Sequence, residues 1–73
     1  MMPEPIKVYG KRGCPYTRAL LRKLDNEDCP HESYDVEQEP RRLHEMLMLN
    51  GGRGEVPTIV WPDKGVEVGF HGT

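Results

Sequence analysis

The order of apolar and polar residues in this 73-residue chain predicts an α/β fold, a four-stranded mixed sheet built as β-α-β-α-β-β. Three observations predict it. Two stretches carry apolar residues at the i, i+3, i+4, i+7 spacing of a helix buried along one side. Four short clusters rich in valine, isoleucine and aromatic residues read as strands. Glycine, proline and polar runs punctuate these segments, and the last two strands are joined by so short a turn that they form an antiparallel hairpin. The chain is expected to form one domain, residues 1–73. At this length a domain buries only about 60% of the surface its unfolded chain exposes.

Pro3 and Pro5 keep the first residues extended, and Ile6-Lys7-Val8-Tyr9 alternates as a first strand. Gly10 and Gly13 bracket a tight loop carrying Lys11 and Arg12. A helix starts around Cys14-Pro15, since proline's missing N–H costs nothing in a first turn. Thr17, Leu20, Leu21 and Leu24 form its buried stripe, and the polar run Asp25-Asn26-Glu27-Asp28 ends it. Cys29-Pro30 opens a second extended piece, Glu32 to Val36, in which Tyr34 and Val36 share a face. Pro40 starts a second helix that runs to Leu49, with Leu43, Met46, Leu47 and Leu49 as its stripe. Asn50-Gly51-Gly52 stops it, because glycine tolerates the left-handed backbone of a C-terminal cap. Val56 to Trp61 is the third strand, Pro62-Asp63-Lys64-Gly65 a turn, and Val66 to Phe70 the fourth strand, with Val66, Val68 and Phe70 on one face.

Composition narrows the function classes. Twelve acids against ten bases leave a net charge of −2, with no basic excess to suggest nucleic acid. The longest apolar run, Met46 to Leu49, is far too short to span a bilayer. Nothing at Met1-Met2-Pro3-Glu4-Pro5 reads as a signal peptide, so a cytoplasmic location is expected. Cys14 and Cys29 are expected to be free thiols: a helix of roughly ten residues separates them by ~15 Å, and a disulfide needs Cα atoms within about 7 Å. His31, His44 and His71 show no metal-type spacing with the cysteines.

The stretch Gly10 to Arg18 carries the chemistry. A free cysteine has a pKa of about 8.5, and its thiolate is the nucleophile. Three features lower that value at Cys14: the unpaired N–H groups of a helix start, the cations Lys11 and Arg12, and the Thr17 hydroxyl one turn along. The plain alternative is a buried packing cysteine, but a core residue is not ordinarily set between glycine and proline beside two cations. Pro57, at a strand start, reads from pattern alone as an ordinary edge-strand proline.

Lys11-Arg12-Gly13-Cys14-Pro15-Tyr16-Thr17, followed by Arg53-Gly54-Glu55-Val56-Pro57-Thr58, resembles the glutaredoxins of the thioredoxin-like fold, whose two runs are Cys-Pro-Tyr-Cys and Thr-Val-Pro. The resemblance spans about Ile6 to Phe70. Asn50-Gly51-Gly52 before Val56-Pro57 looks like the mycoredoxins, and Gly69-Phe70 like the glutaredoxin-like donors to ribonucleotide reductase. It implies a thioredoxin-like fold and a thiol–disulfide oxidoreductase with Cys14 as nucleophile. It further implies a cis Pro57 facing Cys14, a Val56 backbone that pairs with the cysteinyl part of a bound thiol, and a thiol groove lined by Lys11 and Tyr16. Cys29 matches no functional position of the family and reads as packing.

Four departures shape the expectation. Thr17 stands where the family has its second cysteine, which implies a monothiol mechanism with an outside thiol as resolving partner. Glu55 stands where threonine is common, placing an acid near an anionic ligand, and the family's Gly-Gly-x-Asp-Asp-type end is missing. Glutathione, mycothiol or a similar small thiol is therefore the expected co-substrate, with no tightly bound cofactor, and protein mixed disulfides are the expected partners. The chain also stops where the family's last helix would begin, so an uncovered sheet face, available to a dimer, is expected. Two other readings stand beside this one. The first is an iron–sulfur binding module using Cys14 and an external thiol in a dimer, against which Pro15 stiffens the loop. The second is a non-catalytic adaptor of the same fold.

Overall fold

The computed structural model describes residues 4–69. Six elements follow in the expected order: β1 (Ile6–Gly10), α1 (Pro15–Asn26), β2 (His31–Asp35), α2 (Pro40–Leu49), β3 (Thr58–Trp61) and β4 (Gly65–Val68). They form one mixed sheet in the order β2-β1-β3-β4, with β1 parallel to β2, β1 antiparallel to β3, and β3 antiparallel to β4. This is the thioredoxin-like arrangement that the resemblance implies.

The two central strands hold the core, with a helix packed on each of their faces. Val8 pairs with Ile59 and Tyr9 with Thr58, so alternate residues of β1 and β3 point to opposite faces together. On one face α1 lays Leu20 and Leu24 against Val8 and Ile59, with Ile6, Leu21, Cys29 and Trp61 packed around them. On the other, Met46 of α2 joins Tyr9 and Val36, flanked by Tyr34, Leu47, Val56 and Val60. Cys29 is thus a half-buried packing residue and, like Cys14, a free thiol.

Hydrogen bonding explains where the helices stop. At the end of α1 the Asp28 N–H donates to the Asp25 carbonyl and the Cys29 N–H to the Leu24 carbonyl, with Asp28 in the left-handed region at φ 53°. That is a Schellman motif, and the contact of Cys29 with the cluster containing Leu24 is its usual hydrophobic clasp. The polar run therefore ends the helix two residues later than its composition suggests, since Asp25 and Asn26 are still helical. At the end of α2 the Gly52 N–H reaches the Leu47 carbonyl at 2.7 Å, and Gly51 and Gly52 take the positive φ that this requires.

Several expectations are corrected. The third strand starts at Thr58, because Pro57 offers no N–H to a ladder and Arg53 bonds back to Asn50 instead. The fourth starts at Gly65 and ends at Val68, and Phe70 lies outside the described residues. Val66 is 41% exposed, at the sheet edge farthest from β2. Leu43 and Leu49 of the expected stripe are also more than a third exposed. Arg42 and Glu45 take up the inner margin of α2 in their place.

Those two side chains close a polar cluster over the sheet. The Tyr9 hydroxyl donates to Glu45 at 3.0 Å, Arg42 donates to both Glu45 oxygens, and the Arg42 guanidinium lies 3.9 Å over the Tyr34 ring. Tyr9 is 3% exposed, and no buried side-chain polar atom among the described residues lacks a partner. Among the described residues no helix is long and apolar enough to cross a membrane.

Burial first, and the neighbouring Glu45 carboxylate second, push the Tyr9 phenol up to about 12. A phenol raised in the folded state stabilises the fold fully below its unfolded pKa of about 10. That contribution is lost as pH climbs through about 12. Tyr9→Phe should lower stability near neutral pH by about 1 kcal/mol through the lost hydrogen bond. It should also flatten the alkaline loss of stability, both read from urea unfolding between pH 7 and 12.

Candidate active site

The antiparallel β1–β3 pair builds the site. Tyr9 pairs with Thr58, so the chain leaves β1 into residues 10–14 at the same end of the sheet where residues 56–57 lead into β3. Neighbouring strands lie about 4.8 Å apart. Lys11, Cys14 and Thr17 on one side and Val56-Pro57 on the other are therefore delivered to one sheet end. The Val56-Pro57 bond is cis, with Pro57 buried and Val56 half-buried.

Cys14 is the N-cap of α1, with Pro15 in the first turn. The Cys14 N–H donates to the Lys11 carbonyl at 3.0 Å, closing the loop into a turn. No acidic residue stands in the first turn to oppose a negative sulfur. Partial burial pushes the thiol up. The N–H and hydroxyl of Thr17, the N–H of Tyr16 and the Lys11 charge pull it down and prevail, holding Cys14 below the ordinary thiol range.

Thr17 is only 4% exposed, and its hydroxyl accepts the Lys11 N–H at 3.4 Å while lying within reach of the sulfur. Gly10 makes room for it: a Cβ at that position would collide with the Thr17 side chain. Tyr16 is 53% exposed beside Cys14.

On the opposite side, the Val56 N–H and carbonyl make no hydrogen bond among the described residues, although Pro57 next to it accepts the Gly69 N–H. The loop leading to Val56 is bound by side chains. Asn50 Nδ2 donates to the Arg53 carbonyl at 2.6 Å and to Thr58 Oγ1 at 3.0 Å, and Asn50 Oδ1 accepts the Arg53 N–H at 2.8 Å. Thr58 Oγ1 donates onward to the Glu55 carbonyl at 3.1 Å. The Glu55 carboxylate, expected from sequence to place an acid near an anionic ligand, pairs with Arg53 at 3.2 Å. Sequence reading took Asn50 for a helix stop only. Its spacing of eight from Thr58 was the available signal, and it has meaning only once the loop is folded.

A cleft of about 380 Å³ lies between α1 and β2, lined by Lys11, Arg12, Thr17, Arg18, Ser33 and Asp35 among others. Lys11 faces it, whereas Tyr16, Cys14, Val56 and Pro57 do not line it. No group of three or more His, Cys, Asp or Glu among the described residues is arranged to hold a metal ion.

Residues 6–66 match the family model described as Glutaredoxin. The chain belongs to the glutaredoxin family. It is also similar to Mycoredoxin 1 of Corynebacterium glutamicum, 31% identical over 68 residues, covering 93% of this chain and 77% of that protein. Among solved structures, the glutaredoxin of Archaeoglobus fulgidus superposes with a TM-score of 0.76 at 22% identity, covering 92% of this chain and 76% of that one. A thioredoxin-like protein crystallised as a point mutant gives 0.76 at 25% identity, covering 93% and 85%. Glutaredoxins are generally thiol oxidoreductases, and the Cys14 environment is of the kind that chemistry needs.

Thr17→Val keeps the buried shape and removes the hydroxyl. It should raise the Cys14 thiol toward the ordinary value and slow its alkylation by iodoacetamide at pH 7, while costing about 1 kcal/mol of stability. Alkylation rates across pH, with Cys29 changed to Ser, check the first expectation, and urea unfolding the second.

Proposed function

We propose that this glutaredoxin-family chain reduces mixed disulfides by a one-cysteine route. The Cys14 thiolate attacks the small-thiol sulfur of a mixed disulfide. A bond forms between Cys14 and that sulfur, the old S–S bond breaks, and the protein thiolate leaves with the electron pair and takes a proton from water. A second small thiol, as thiolate, then attacks the sulfur joined to Cys14. It leaves as the symmetric small disulfide and restores the Cys14 thiolate. The mixed disulfide and one free small thiol thus become the protein thiol and the symmetric small disulfide, so no other reductant enters.

The observation that carries this reading is a lowered Cys14 thiol at the same sheet end as a Val56 backbone that makes no hydrogen bond among the described residues. A thiol near ambient pH is the effective attacking and leaving group in such exchange. Val56 supplies an N–H and a carbonyl to a cysteinyl backbone, and Pro57 supports that edge from beneath. Lys11 adds positive charge at the sulfur, and the Tyr16 ring offers an exposed flank to the bound thiol. Thr17 supports the thiolate and cannot form a disulfide, and Cys29, in the packing against Leu24, does not stand in for it. The co-substrate is a low-molecular-weight thiol such as glutathione or mycothiol.

Turnover of a small mixed disulfide, with glutathione or mycothiol as reducing thiol, tests the reading. Wild type and Cys29→Ser should turn over alike, and Cys14→Ser should fall to the uncatalysed rate. Stopping the reaction with acid should reveal Cys14 carrying one small thiol by mass. Activity that survives in Cys14→Ser and vanishes in Cys29→Ser would contradict it.

A further inference from the structure

The geometry points to Asn50 as a positioning residue that holds the Val56 edge in place for a substrate backbone. This rests on the reading of Val56 given above. Residues 53–56 belong to no strand or helix, and Arg53, Gly54 and Glu55 are exposed. Among the described residues, every hydrogen bond made by their backbone runs to a side chain, either that of Asn50 or that of Thr58. Asn50 bonds both the N–H and the carbonyl of Arg53, and its remaining bond steadies the buried Thr58 hydroxyl that holds Glu55.

One amide at the C-cap of α2 therefore clamps the segment before Val56 at its start and, through Thr58, at its end. Only an amide satisfies all three partners. The Arg53 carbonyl needs a donor and the Arg53 N–H an acceptor, and Asn carries both on one planar group. Aspartate lacks the donor, and alanine lacks both. Asn50 does not contribute to the lowered Cys14 thiol, which is set by Thr17, Tyr16 and Lys11 across the sheet end. Its effect is confined to substrates that use the Val56 N–H and carbonyl.

Two disulfides separate these effects. With dithiothreitol, which carries no amide, as the reducing thiol in both assays, bis(2-hydroxyethyl) disulfide has nothing to pair with Val56. The mixed disulfide of 2-mercaptoethanol with N-acetylcysteine amide presents a cysteinyl backbone. In Asn50→Ala and Asn50→Asp, kcat/KM for the cysteinyl substrate should fall about tenfold, mainly through KM, as for the loss of a well-aligned hydrogen bond. The rate with bis(2-hydroxyethyl) disulfide and the pH profile of Cys14 alkylation should stay as in wild type. Equal loss on both substrates, or a shifted alkylation profile, would make Asn50 merely structural and overturn the proposal, as would no change on either substrate. Inactivity of wild type toward both disulfides would instead sink the reading of Cys14 and Val56 on which the proposal stands. A wild type that is active but indifferent to the cysteinyl backbone would remove the Val56 edge, and with it the role of Asn50.

Discussion

The pairing of Tyr9 with Thr58 in the antiparallel β1–β3 ladder is the constraint on which the site depends. It makes the outgoing end of one central strand and the incoming end of the other adjacent. The loop before α1 and the loop before β3 then face a common volume whatever their own residues are. The same pair carries the core, since Val8 and Ile59 receive α1 while Tyr9 and Val60 receive α2. Stability and site geometry share one ladder. A change that shifted its register by one residue would exchange the two faces and separate the loops together.

Within that frame the chemistry is local. The start of α1 leaves N–H groups without helical partners, and the sulfur of its N-cap is the group they act on. Thr17 does two jobs with one hydroxyl: it accepts the Lys11 N–H, fixing the loop, and lies within reach of the sulfur. That side chain fits only because Gly10 has no Cβ. A second cysteine at position 17 would let the site close on itself, whereas threonine cannot form a disulfide with Cys14.

Much of this was legible in the residues. The strand β1, the α1 stripe Leu20-Leu24 and the glycine stop after α2 were read from periodicity and punctuation, because each is decided by neighbours within four positions. Cys14 was legible for the same reason, as its perturbing groups lie within three residues of it. The α2 face was not. Apolar spacing favoured Leu43 and Leu49, but the sheet opposite offers the Tyr9 hydroxyl and the Tyr34 ring, so Arg42 and Glu45 turn inward to meet them. Asn50 was hidden in the same way, since its partners Arg53 and Thr58 are set by the path of a loop and not by a period. Pattern alone gave the cis bond at Pro57 no support; the family resemblance supplied it.

The central claim is that the start of α1 holds Cys14 as a thiolate at neutral pH more readily than an ordinary cysteine. The direct measurement is the rate of Cys14 alkylation against pH in Cys29→Ser, followed by the mass of the modified chain. The account predicts a midpoint below the value of about 8.5 for a free cysteine. A midpoint at or above that of an unstructured cysteinyl peptide measured alongside would contradict it.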